Sequence, residues 1–297
     1  MQTNAADVTL TKPESVTLAR MCSAALGRDP TLQAVELGDT WVTWGELRQL
    51  AEDVCGLIDA SGVHPAAPVV LVPNNRPAFV GAFLALLTQA RTVRMVYAFQ
   101  SSTGVARDLD QLEPALVVAA AESFTPEVNA ALRRHGAAGI ALRGMSATLV
   151  EGFERARSQA PSAEAQPEIQ ILTSGTTGRP KRFGMTHDMV ARHVVGANKN
   201  YSAGDTDLYA QPPMFSYYPL GNISGIYGVL PTLLRGHRVL LAERFTVELW
   251  RDYLKRHKPV RASLPPAGFQ MVLDAQVPPE ELQCVRFMAT GAAPLDL

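Results

Sequence analysis

"EIQILTSGTTGRPKRFGMTH" spans Glu168–His187. "EIQILT" reads as an apolar strand and "KRFGMTH" as a second strand. Between them lies a loop of glycines, hydroxyls, Arg179 and Pro180 that closes on Lys181. Glycine lets the chain reach positive φ and lets a polyanion come close to backbone N–H groups. Hydroxyls add donors that rotate to suit phosphate oxygens, and a lysine adds a compact charge. Thr173, Ser174, Gly175, Thr176, Thr177, Gly178 and Lys181 therefore make a candidate phosphate cradle.

The Walker spacing G-x-x-x-x-G-K-[ST] does not fit. Gly175 and Gly178 stand too close, Arg179 and Pro180 separate Gly178 from Lys181, and the following residues read as a strand. A phosphate held on a helix N-terminus is not the expected geometry.

Outward from this hairpin the pattern alternates strand and helix. "PVVLVP" (Pro68–Pro73), "RTVRMV", "ALVVAA" (Ala115–Ala120), "AGIAL", "HRVLLA", "VRASLP" and "CVRFMAT" read as strands. "WVTWGEL" (Trp41–Leu47) reads as a short strand or turn feeding a helix through "RQLAEDVCGLIDASG" with Gly62 as a stop, and another helix is expected at "NNRPAFVGAFLALLTQA" with Asn75 as cap and Pro77 in the first turn. Others are expected at "TGVARDLDQL", "TPEVNAALRRHG", "DMVARHVVGAN" with Thr186 or Asp188 as cap, "GNISGIYGVLPTLLRG", "TVELWRDYLKRH" and "PAGFQMVLDAQ". Such alternation predicts an α/β fold built from layered βα units with a mostly parallel sheet. Arg155–Pro167 reads as a linker, giving segments 1–40, 41–160 and 161–297 within one domain.

The 297 residues carry 27 basic and 28 acidic side chains, a formal net charge of −1, with no long block of either sign. That offers no electrostatic case for nucleic acid or an anionic membrane. Cys22, Cys55 and Cys284 are far apart, so neither a disulfide framework nor a Cys-x-x-Cys site is expected, and a reducing cytoplasm fits. "AFVGAFLALL" (Ala78–Leu87) falls short of the roughly 20 apolar residues of a membrane span, and "MQTNAADVTLTKPESV" lacks the apolar region of a signal peptide. The histidines show no metal spacing, His187 and His193 not sharing a helix face, and no Gly-x-Ser-x-Gly elbow supports a hydrolase.

"TSGTTGRPK" resembles the phosphate-contacting signature of the adenylate-forming (AMP-binding) superfamily of acyl- and aryl-CoA synthetases, adenylation domains and luciferases. "TWGELRQLAEDVCGLIDASGV", "VVLVPNNRPAFVGAFLALLTQA", "QPPMFSYYPLGNISGIYGVLPTLLRGHRVLLAERF" and "CVRFMATGAAPLDL" resemble successive family segments over Trp41–Leu297. The resemblance implies an ATP-dependent carboxylic acid–CoA ligase that makes an acyl-adenylate and then a thioester. It implies that Thr173–Gly178 wrap the β- and γ-phosphates, and it gives the catalytic part to Lys181, which offsets their charge. Gly291, Ala292, Ala293 and Pro294 would pack on adenine. Phe215, Ser216, Tyr217, Tyr218, Asn222 and Gly225 would border the acid.

ATP, Mg²⁺ and coenzyme A are the implied cofactors, and a small carboxylic acid is the implied partner. Ser216 departs from the histidine that many members carry there, and "TQARTVRMVYAFQSS" (Thr88–Ser102) departs from the family's usual turn. The family's magnesium-holding glutamate, ribose-binding aspartate and carboxylate-contacting lysine are expected beyond Leu297. The chain thus reads as an N-terminal portion, inactive alone, with uncovered sheet edges that favour self-association. A catalytically dead binding relative, a carrier-loading adenylation module and a luciferase-like oxygenase stay open.

Overall fold

The computed structural model describes residues 17–157, 166–173, 181–201 and 207–291. Helix α1 (Leu18–Leu26) starts at Thr17, whose Oγ1 accepts from Arg20 N at 3.3 Å. The hairpin β1 (Gln33–Leu37) and β2 (Thr40–Thr43) leads directly into α2 (Trp44–Ala60). A reciprocal capping box fixes that entry: Thr43 Oγ1 accepts from Glu46 N, and the Glu46 carboxylate accepts from Thr43 N at 2.8 Å.

Strand–helix units follow: β3 (Val69–Val72), α3 (Pro77–Thr88), β4 (Val93–Met95), α4 (Ser102–Leu112), β5 (Leu116–Ala120), α5 (Pro126–His135) and β6 (Ala138–Arg143). Strand β7 (Ser146–Leu149) folds back on β6. After the linker come β8 (Glu168–Thr173), β9 (Lys181–Thr186) and α6 (His187–Tyr201). Then come β10 (Met214–Ser216), α7 (Ile223–Leu234), β11 (Val239–Leu241), α8 (Val247–His257), β12 (Arg261–Ser263), α9 (Pro266–Asp274) and β13 (Phe287–Ala289). The expected stop at Gly62 holds, with φ of +72° just past α2, and Gly136 takes φ of +62° at the end of α5 in the same way. Thr186 caps α6 by accepting from Met189 N at 3.2 Å, while Asp188 pairs with Arg192 at 2.6 Å. Of the linker, residues 158–165 lie outside the described residues.

The larger sheet has the order β7-β6-β5-β3-β4-β8-β9. Its inner strands are parallel, and β7 and β9 close the edges antiparallel. The smaller sheet, β10-β11-β1-β2, joins the N-terminal hairpin to strands from beyond the linker, and β12 and β13 form a separate parallel pair. β3 and β5 are buried at every position, as strands covered on both faces must be. Helix α3 is apolar all round and buried from Pro77 to Leu87, packed against α1 and α2. Burying each of its Leu, Val and Phe side chains contributes roughly 1.5–3 kcal/mol. No described helix is long and apolar enough to cross a membrane.

β1 carries a fully buried carboxylate. Glu36 is bonded by Arg256, and its second oxygen lies 2.8 Å from His257 Nε2. This pairing fastens the last turn of α8 to the smaller sheet.

Candidate active site at the strand ends

The carboxyl ends of β3 and β4 meet the carboxyl ends of β10 and β11, and Asn75 stitches the seam. Its Nδ2 donates to the carbonyls of Tyr218 and Ala242, both at 3.0 Å, and its Oδ1 accepts from Leu220 N at 2.8 Å. The expectation that Asn75 caps α3 is therefore corrected. Pro77 occupies the first helical position, so Arg76 holds the cap position and bonds none of the helix N–H groups through its side chain. Asn75, one residue earlier, is free to reach across. Arg76 joins the same seam, with Nε 2.7 Å from Glu243 and Nη1 2.9 Å from Glu122. In α/β sheets this end of the strands is where ligands bind.

β8 and β9 open onto the same end. Their ladder runs from Glu168↔Thr186 to Thr173↔Lys181, so Thr173 and Lys181 face each other where the phosphate loop departs and returns. Ser174, Gly175, Thr176, Thr177 and Gly178 lie outside the described residues. Lys181 is exposed at the mouth. Its neighbour Arg182 donates to the Met95 carbonyl at 3.4 Å, tying β9 across β8 to the end of β4. Burial lowers the Arg182 pKa, and the nearby Arg94 adds to that. Arg94 donates to the Gln170 side chain at 3.1 Å and to the Leu112 carbonyl at 3.0 Å. The parallel register Arg94↔Gln170 carries Tyr97, 44% exposed, to the level of Thr173.

Strand β10 and the turn into α7 form the second wall. Side chains alternate across a strand, and here that divides the candidates. Phe215 stacks on Tyr253 at 5.0 Å and 23°, in the core beneath α8. Tyr217 packs on Phe245 at 5.2 Å and stacks on Tyr218 at 4.5 Å. Burial, then the neighbouring Tyr218, raises the Tyr217 phenol above the ordinary tyrosine range. Ser216 is buried on the opposite face, where a Cβ on Gly228 of α7 would come within 3.3 Å of its hydroxyl. Its carbonyl accepts from Ala242 N at 2.8 Å.

Asn222 caps α7, accepting from Gly225 N at 2.9 Å. A Cβ on Gly225 would overlap the Pro219 carbonyl, so only glycine lets the chain pass there. Phe215 and Tyr217 thus lie on one face of β10, 5.6 Å apart against the core beneath α8, Ser216 faces α7, and Tyr218, Asn222 and Gly225 continue into the turn before that helix. Gly291 follows β13 in the two-stranded sheet, and Ala292, Ala293 and Pro294 lie outside the described residues.

Among the described residues no group of three His, Cys, Asp or Glu side chains could hold a metal ion. The described histidines have structural surroundings instead. His193 meets the Tyr227 ring edge-on at 4.4 Å, and His237 Nε2 lies 2.8 Å from the Pro212 carbonyl. Sequence reading gave Asn75 a capping role and missed Arg76 and Arg182. The position of Pro77 was the usable signal for the first two.

Residues 22–297 match the family model described as AMP-binding enzyme. 4-Coumarate–CoA ligase 3 of Oryza sativa is 24% identical over 295 residues, covering 95% of this chain and 52% of its own length. 4-Coumarate–CoA ligase 1 of Arabidopsis thaliana is 24% identical, over 85% of this chain and 48% of its own. The chain spans about half the length of the curated relatives it matches. Among solved structures, ATP-bound MatB from Rhodopseudomonas palustris superposes with a TM-score of 0.73 at 18% identity, covering 93% of this chain and 55% of that one. The o-succinylbenzoate coenzyme A synthetase of Bacillus subtilis in complex with AMP gives 0.68 at 18% identity, covering 92% and 68%.

Proposed function

Because this chain belongs to the family of AMP-binding enzymes, we propose that it is the nucleotide- and acid-binding part of an ATP-dependent carboxylic acid–CoA ligase. The observation that carries this reading is geometric. The β8–β9 hairpin, with Thr173 opposite Lys181, opens at the same strand ends as the turn after β10 that carries Tyr218.

In the proposed reaction a carboxylate oxygen bonds to the α-phosphorus of ATP as the bond to the pyrophosphate oxygen breaks. The thiol sulfur of coenzyme A then bonds to the acyl carbon, and AMP leaves with the former carboxylate oxygen. Positioning and charge stabilisation dominate such a step. Thr173, Ser174, Gly175, Thr176, Thr177 and Gly178 are assigned to the β- and γ-phosphates, with Lys181 offsetting the charge that gathers on pyrophosphate. Gly291, Ala292, Ala293 and Pro294 are assigned to the adenine. The described residues offer no group of three His, Cys, Asp or Glu side chains for Mg²⁺.

Tyr218 and the 4-coumarate–CoA ligase relatives favour an apolar or aromatic acid. A cytoplasmic setting is supported by three free cysteines, Cys22, Cys55 and Cys284.

Calorimetric titration with ATP tests the assignment of Lys181. Lys181→Ala should weaken binding about tenfold, the scale of one charge-assisted contact, with the melting temperature unchanged. Unaltered affinity in Lys181→Ala, with saturable binding to the unsubstituted chain, would remove the lysine from the phosphate site.

A further inference from the structure

A cleft of about 340 Å³ lies beside the seam at Arg76. The first turn of α3, the β1–β2 hairpin and the β6–β7 hairpin enclose it. Its interior is apolar, with Val42, Phe79, Leu142 and Met145 among the walls. Its charged lining residues are Arg76, Arg143 and Glu122, and Arg76 is also paired with Glu243 just outside the lining. A backbone hydrogen bond lowers the Glu122 pKa most, burial opposes it, and Arg76 and then Arg143 lower it further. Volume and lining match a small-molecule site, mostly apolar with a few polar groups that fix orientation.

We propose that this cleft binds a small monocarboxylate with an apolar body, its tail against Phe79, Leu142 and Met145 and its carboxylate on the Arg143 side of the rim. Glu122 and Glu243 hold Arg76, so the exposed Arg143 is the cation that selects an anion, and the apolar interior selects a tail over a free inorganic anion. The site goes beyond the ligase reading and does not depend on it. It has a physical link to the seam: Arg76 lines the cleft and bonds Glu243, and the adjacent Asn75 holds Tyr218, Leu220 and Ala242. A ligand here touches the two-residue step that fixes the other wall.

Saturable photolabelling of the 297-residue protein with a diazirine-bearing octanoate, followed by peptide mapping, tests the proposal. Label is expected in the peptides bearing Leu37–Val42, Arg76–Phe79 or Leu142–Met145, and octanoate should compete it away. Met145→Trp fills the cleft and should reduce that label about tenfold. Arg143→Ala, an exposed change that leaves the fold intact, should weaken competition by octanoate about fivefold, in the range of one charged hydrogen bond at a partly exposed site. It should leave competition by neutral octanamide unchanged. Label confined to Pro213–Gly225, no saturable label at all, or octanamide competing as well as octanoate overturns the proposal.

Discussion

Asn75 Oδ1 accepts from Leu220 N at 2.8 Å, joining the loop after β3 to the turn before α7 across 145 positions of sequence. The Asn75 side chain is 1% exposed, so its three partners have no water to replace it.

Asn75→Ala is therefore expected to destabilise the protein by about 2–4 kcal/mol, the scale of stranding buried backbone groups. Asn75→Asp keeps the acceptor but turns the donor to both carbonyls into a buried charge, and should be at least as damaging. Urea unfolding of both variants checks this. A loss below about 0.5 kcal/mol in each would show that the seam does not hold the two sheets together.

Gly225→Ala forces a methyl group into the Pro219 carbonyl. Overpacking of this kind costs about 1–3 kcal/mol, and here relief requires the Pro219–Asn222 turn to move. Gly221→Ala is the control, because its nearest contact, 3.4 Å to the Pro73 ring, is ordinary. Thermal melting should separate the two, with only Gly225→Ala clearly lowered.

His187 is buried at the start of α6 with Nε2 unbonded, and burial pushes its imidazole down to about 4. The unfolded chain, titrating near 6.5, binds the proton more readily. Stability is therefore full above about pH 6.5 and falls as pH drops towards 4, by up to about 3 kcal/mol from this group. His187→Leu should flatten that part of the profile. Denaturant midpoints at pH 7, 5.5 and 4.5 measure it, and an unchanged slope in the variant would assign the acid sensitivity elsewhere.

Val260, Leu273, Phe287 and Met288 are 48%, 69%, 58% and 41% exposed around β12, β13 and α9. Large apolar groups gathered at a strand edge invite association. Phe287→Ser with Leu273→Asp should lower the apparent mass at high concentration in light scattering. Equal mass for both proteins at every concentration would dissociate this face from self-association.

The hairpin that frames the phosphate loop was legible because its strands are set off by glycine, hydroxyls and Pro180. So was α2, whose cap chemistry is local. Less legible were β1 and β10. β10 is three residues long, and β1 contains the charged Glu36, whose partners Arg256 and His257 are supplied by a distant helix. The aromatic run Phe215–Tyr218 revealed a wall but not its sides. Sorting Phe215 from Ser216 needed the helices above and below β10, which no local pattern contains. Asn75 was misread by one position, because a cap residue and a long-range clamp draw on the same short amide chemistry.

Strand β1 finds its parallel partner only at β11, where Val35 faces Val239. At roughly 5–20 residues per second, ribosomal synthesis puts about 10–40 s between the two. Throughout that interval the first hairpin has no third strand, while β3 to β6 assemble from neighbouring units as they emerge. The smaller sheet is thus a late closure, and the amino-terminal residues wait for it with Val35 uncovered and Glu36 unpaired. A newborn chain is most exposed to capture by chaperones during that wait, and a pause in translation before Val239 would prolong it.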